Sequence, residues 1–254
     1  MIKIKKESVL ITPKDIKPSS KKFEVIGAIN PGAARLPNGD IALYVRVIER
    51  LKKSEDDKYF YSPRFVGKEN FEVKLDKFDK KSVVNKTNAD FSFKDGTKRL
   101  TFISHLRRVI IDKNGFTVKS IDRKPSFYGF YWDGELGIED ARITKINYLY
   151  VMTYVALSRT GNVSTSYALS NNCINWRRRG VIFGEQDKDT VLFPELINKK
   201  YVAFDRPEGS FQFTSPHIWI NYSKDLEYWK KLNPISLSKK GDWDFGKSGA
   251  GPPP

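Results

Sequence analysis

SYALSNNCINW (residues 166–176) aligns at its end, without a gap, on INYSKDLEYW (residues 220–229), so that Ser170 answers to Ser223 and Trp176 to Trp229, each 53 positions apart. The segments before them repeat at nearly the same period, since Tyr150 in ITKINYLYVMTYV (143–155) answers to Val202 in LINKKYVAFD (196–205), 52 positions on. RLPNGDIALYVRV (35–47) reads as an earlier copy of that strand, and RRVIIDKNGF (107–116) as a weaker copy of the tryptophan turn, with Phe116 in place of tryptophan. These segments are short, β-branched or aromatic, and bounded by Asn, Gly, Lys or Pro, as strands are. No long stretch sustains a helical apolar period. The fold class is therefore all-β. A period near 50 residues with about four strands per unit predicts β-propeller blades, whose sheets must stack on one another to bury both faces. Trp176 and Trp229 are expected to pack between blades rather than to serve as ligand platforms.

With 254 residues, 39% hydrophobic and 13% aromatic, the chain has the apolar content for one propeller domain over residues 1–254. Its one cysteine, Cys173, excludes an internal disulfide, and MIKIKK (1–6) leads into no apolar run of signal-peptide or membrane-spanning length, so a soluble cytoplasmic protein with no membrane partner is expected. The two histidines, His105 and His217, lie far apart in sequence, and no metal site is expected. The net charge of +15 raises the question of nucleic acid. Lysines are however scattered and interleaved with acids, as in LKKSEDDK (51–58), and the densest arginine run, Arg177 to Arg179, follows Trp176 at a blade-edge turn. A solvated ion-pair surface, of the kind heat-adapted proteins carry, is the favoured reading, and no nucleic-acid partner is predicted. The least regular part, residues 52–101, reads either as outer strands of blade one with an extended loop or as a partly ordered surface insertion.

Five ordered segments carry a further signal: AINPGAARLPNG (28–39), GIEDARIT (137–144), DKDTVLFPELI (187–197), FDRP (204–207) and KSGAGPPP (247–254). In this order they resemble glycoside hydrolase family 130, the β-mannoside phosphorylases and mannosidases, whose usual motifs are FNPG, G-[VI]-E-D-P-R-I-T, NKD-x-x-LFP, HRP and KIG-x-G-x-PP. The resemblance spans nearly the whole chain. It implies a five-bladed β-propeller with its site in the funnel at one end of the central channel. The Y-H-G segment and closing blade that follow KIG-x-G-x-PP in the family are absent, so a C-terminally truncated propeller of about four blades is expected.

Inverting cleavage of a glycoside needs an acid for the departing oxygen and a nucleophile on the opposite face of the sugar. Inorganic phosphate can be that nucleophile, given cations to hold it. The resemblance maps the general acid onto Asp140, acting through the 3-hydroxyl of the mannosyl unit as a proton relay, and gives α-mannose 1-phosphate as product. Read without it, Asp140 orients a turn or pairs with Arg142. The resemblance places Lys188, Arg206 and Lys247 around phosphate, and Asn30, Arg46 and Arg50 around the mannosyl unit. Asn30 equally suits the turn before Pro31. Arg46 and Arg50 lie four apart and share one strand face, with Asp140 and Glu49 as candidate partners. Two positions depart from the family: Asp205 replaces the HRP histidine and Ala141 the proline after Glu139 and Asp140. Ser104 and His105 match the family's S-x-L segment only weakly, and no role is assigned to them. The partners implied are a β-mannosyl oligosaccharide and inorganic phosphate as co-substrate, with no other cofactor. A β-mannosidase using water, with Asp205 as its marker, and an inactive carbohydrate-binding remnant stand as alternatives.

Overall fold

In the computed structural model, which describes residues 4–184, 186–208, 216–235, 241–243 and 246–254, the repeated segments form antiparallel sheets of four strands. Blade one begins with β1 (Phe23–Arg35) and β2 (Ile41–Leu51). An insertion follows: a ribbon of β3 (Tyr59–Phe65) and β4 (Val73–Asp79), then a small sheet of β5 (Val83–Lys86), β6 (Asp90–Phe93) and β7 (Lys98–Leu100). β8 (Phe102–Ile111) and β9 (Val118–Ile121) then complete blade one in the order β1-β2-β8-β9. Blade two is β10 (Gly137–Ile146), β11 (Leu149–Ser158), β12 (Asn162–Ser170) and β13 (Arg177–Phe183). Blade three is β14 (Asp187–Leu192), β15 (Tyr201–Pro207), β16 (Trp219–Ser223) and β17 (Trp229–Pro234). The roughly four units expected are thus, among the described residues, three blades and one insertion. That insertion is ordered around Phe60, Phe78, Phe91 and Phe93, and the outer strands of blade one come after it.

Side-chain alternation explains why the second strand of each blade reads as almost unbroken apolar sequence. On β2, Ala42 and Tyr44 join the core shared with blade two, whereas Leu43 and Val45 pack with Val109 and Ile111 on the other face, covered by Leu10 and Ile11. On β11, Tyr150, Met152, Tyr154 and Ala156 face blade one, while Val151 packs with Leu192, Ala203 and Leu226 of blade three. Burial of each valine, leucine or methionine among them is worth about 1.5–3 kcal/mol, and both faces of the strand contribute.

The tryptophan turns are equivalent. Asn172 Oδ1 accepts from the backbone N–H groups of Ile174 and Asn175, and Asp225 Oδ1 from those of Glu227 and Tyr228, each at 2.9 Å. Cys173 and Leu226 follow at positive φ, 56° and 68°. Each tryptophan then packs on the preceding blade: Trp176 meets Tyr44 edge-on at 5.6 Å and donates to its hydroxyl, and Trp229 lies 5.6 Å from Phe183. Phe116, at the corresponding turn of blade one, is 38% exposed under Lys6. Within the arginine run, Arg178 turns inward to Asp133 and stacks over Phe127, and Arg179 pairs with Glu227. No helix among the described residues is long and apolar enough to cross a membrane.

Candidate active site

The first strands of successive blades pack against one another, β1 on β10 and β10 on β14. Gly32 makes the first approach close, since a Cβ there would lie 2.8 Å from the Ala141 carbonyl oxygen. Each of these strands carries a bulge, where pairing skips between Ile29 and Gly32, Glu139 and Arg142, and Lys188 and Val191. A left-handed residue occupies each bulge: Asn30 (φ 45°), Asp140 (φ 49°) and Asp189 (φ 58°). Asn and Asp tolerate this conformation better than other residues with a side chain, and bulges re-aim side chains. The same local device, repeated blade by blade, places three polar side chains at equivalent points.

Asp140 is the meeting point. Its Oδ1 accepts from Asn30 Nδ2 at 2.9 Å and from Arg46 Nη1 at 3.1 Å, and Lys188 Nζ lies 3.8 Å from Oδ2. Arg46 Nη2 donates to Glu139 Oε1, which also accepts from Ser104 Oγ at 3.3 Å. Burial pushes the Asp140 carboxyl up, but Asn30, Arg46 and Lys188 outweigh it and hold it below the ordinary value. At Glu139 burial wins, reinforced by the Asp140 charge, and its carboxyl is raised despite Arg46. Two adjacent acids are thereby driven apart.

A second set lies on blade three. Lys188 and Arg206 face each other across β14 and β15. Arg206 donates from Nε and Nη2 to Asp189 Oδ2 at 3.1 and 2.8 Å and from Nη1 to Glu208, whose other oxygen is 2.9 Å from Lys247 Nζ. Arg142 Nη2 is 3.8 Å from Asp189, and Arg142 Nε donates to the Gly251 carbonyl at 3.0 Å. Gly249 lies so close that a Cβ there would be 2.6 Å from Asp189 Oδ2. Beside these groups a cavity of ≈ 290 Å³ is lined by Asn30, Gly32, Arg142 and Pro252, among others. No group of metal-ligating side chains occurs among the described residues.

The structure therefore gathers Asn30, Arg46 and Lys188 on Asp140, and links Arg206 to Lys247. Asp140 pairs through its carboxylate with Arg46 rather than with Arg142. Arg50 stands apart: it is held by Glu24 at 2.7 Å, and four strand residues separate it from Arg46 by about 13 Å. Glu49 is no partner to either arginine, because it points to the opposite face, where it contacts Ser19, His105 and Arg107. Asp205, on the other face of β15 from Arg206, is buried against Asn221 at 2.7 Å and Lys231 at 2.6 Å. Burial and the neighbouring Asp205 push Asp187 well above the ordinary carboxylate range. The sequence reading assigns no site role to Ser104, Glu139, Asp189 or Glu208. The acid next to Lys188 in DKD was the signal for Asp189, and the acid pair for Glu139.

Stacked four-stranded sheets whose first strands bring an acid pair under the control of arginine and lysine make this a protein of the β-propeller class. The chain belongs to glycoside hydrolase family 130. The family profile described as β-1,4-mannooligosaccharide phosphorylase matches residues 93–254. The chain is 34% identical to the β-1,2-mannobiose phosphorylase of Listeria innocua over 254 residues, covering 96% of this chain and 68% of that protein. It is 35% identical over 146 residues to a 1,2-β-oligomannan phosphorylase of Thermoanaerobacter, covering 57% of this chain and 47% of that one. The solved structure of the Listeria innocua enzyme with β-1,2-mannobiose superposes with a TM-score of 0.82 at 33% identity, over 94% of this chain and 67% of that one.

Proposed function

We propose that the chain cleaves β-mannosides by phosphorolysis with inversion, giving α-mannose 1-phosphate. The observation that carries this reading is the convergence of Asn30 and Arg46 from blade one and Lys188 from blade three on Asp140 of blade two. Asp140 is the general acid. Asn30, which is exposed, and Arg46 hold it and offer the mannosyl unit a polar floor. Lys188, Arg206 and Lys247 take the phosphate.

An acid whose carboxyl is held low must gain its proton when substrates bind. Phosphate beside Lys188 offsets the cation that helps keep Asp140 ionised, and a sugar over the site removes water from the carboxyl; both raise its pKa. Proton uptake is thus tied to the arrival of the nucleophile. The hydrolytic alternative loses its marker, because Asp205 is committed to Asn221 and Lys231 on the far face of its strand. Both relatives described above are named for β-1,2 linkages, and that linkage is the first to try. Incubation with β-1,2- and β-1,4-mannobiose, with and without phosphate, is expected to give mannose 1-phosphate only when phosphate is present. Asp140→Asn should cut turnover by about 10²- to 10⁴-fold at unchanged circular dichroism. Free mannose released regardless of phosphate would overturn the reading.

A further inference from the structure

Glu208 belongs to no motif of the sequence and to no step above. It lies one residue past β15, where its backbone N–H donates to the Gln186 carbonyl at 2.6 Å. Each of its carboxylate oxygens holds a different cation of the proposed phosphate site: Oε2 accepts from Arg206 Nη1, and Oε1 lies 2.9 Å from Lys247 Nζ. Two oxygens of one anion set on two cations is the contact a phosphate would make there. Asp189 takes Nε and Nη2 of Arg206, so Glu208 sits on the remaining donor edge.

The two acids differ in how firmly they are held. Asp189 is held in an inner-strand bulge at positive φ, with the Gly249 backbone close beside it, whereas the Glu208 side chain stands at a strand end and is 30% exposed. We infer that Glu208 is a built-in competitor of inorganic phosphate, whose carboxylate holds the Arg206–Lys247 pair until phosphate enters and displaces it. This rests on the phosphorylase reading for the identity of the ligand. Its consequence is that phosphate affinity becomes a difference between two anions, which sets the phosphate concentration at which the site fills and turns away weaker anions.

The test is calorimetric titration of inorganic phosphate into the chain and into its Glu208→Gln and Glu208→Asp forms, with the phosphate KM on β-1,2-mannobiose measured in parallel. Glu208→Gln is expected to bind phosphate about tenfold more tightly and to lower the phosphate KM to match, the order expected from removing one like charge at a partly exposed site. Glu208→Asp keeps the charge and is expected to stay within about twofold. Weaker or equal binding by Glu208→Gln overturns the inference, because Glu208 would then be a support for the two cations. The same gain in Glu208→Asp overturns it too, as does the absence of phosphate binding in every form. Tighter binding by Glu208→Gln with no mannose 1-phosphate from any form upholds the competition and sinks the phosphorylase reading instead.

Discussion

Asp140 is subject to opposed influences that mutation can separate. Burial raises its carboxyl, and Asn30, Arg46 and Lys188 bring it below the ordinary carboxylate range. A depressed carboxyl contributes stability that is complete above its unfolded pKa and is lost as pH falls through the folded one. Asn30→Ala removes one of the lowering groups. It is expected to cost about 1 kcal/mol in urea unfolding at neutral pH, a difference that closes once the pH has fallen through the folded-state value and both forms are protonated. A gap of equal size at both pH values would detach Asn30 from the ionised carboxylate. Glu139 works in the other sense, since its raised carboxyl favours the fold below its ordinary pKa and ceases to as pH rises through the raised one. At this scale the acid and its lysine were visible in the motifs, and the shared face of Arg46 and Arg50 followed from alternation. What alternation lacks is distance along the strand, which carries Arg50 to Glu24. Glu208 lies outside the five motifs and meets Lys247, 39 residues on, only through the fold, so the sequence gives no sign of it.

The inner-strand bulges join sequence to site at the level of the element. Asn30 before Pro31 and Asp140 before Ala141 read as turns, yet both sit inside strands, Phe23–Arg35 and Gly137–Ile146. Local composition cannot distinguish the two cases, because a left-handed Asn or Asp serves a turn and a bulge alike. What decides is the neighbouring blade, which supplies the pairing and the crowding. Gly32→Ala would bring a methyl group to 2.8 Å from the Ala141 oxygen and force β1 away from β10. The expected cost is about 1–3 kcal/mol by urea unfolding, with a fall in kcat as Asn30 leaves Asp140. Gly184→Ala, where an added Cβ meets nothing within 4 Å, is the control and should stay within about 0.5 kcal/mol. Equal effects at the two glycines would mean that the close approach of the inner strands is unimportant.

Across the whole molecule, blades joined in series should behave as nearest-neighbour units. Trp176 seals blade two on blade one and Trp229 seals blade three on blade two. Replacing either half-buried ring by alanine is expected to cost about 2–3 kcal/mol, and the double variant the sum within about 0.5 kcal/mol, since the two share no partner. A clear departure from additivity in denaturant unfolding would show that the interfaces are coupled. The repeat was legible because the Ser-x-Asx turn and its tryptophan recur with their spacing intact. The insertion was legible only as one of two readings of residues 52–101, having no second copy to be compared with. Its manner of attachment has a consequence of its own. Arg50 and Phe102 are direct partners across β2 and β8, so residues 52–101 leave and rejoin the blade at adjacent points. A segment spliced in this way is a graft on a hairpin, and the entropy of closing it grows only with the logarithm of its length. Apart from Phe65, which packs with Phe23, Leu51 and Ile103, it can change in length and composition while Arg46 keeps its register opposite Leu106 and its hold on Asp140. The rest of the insertion is thereby free to diversify without the acid being asked to move.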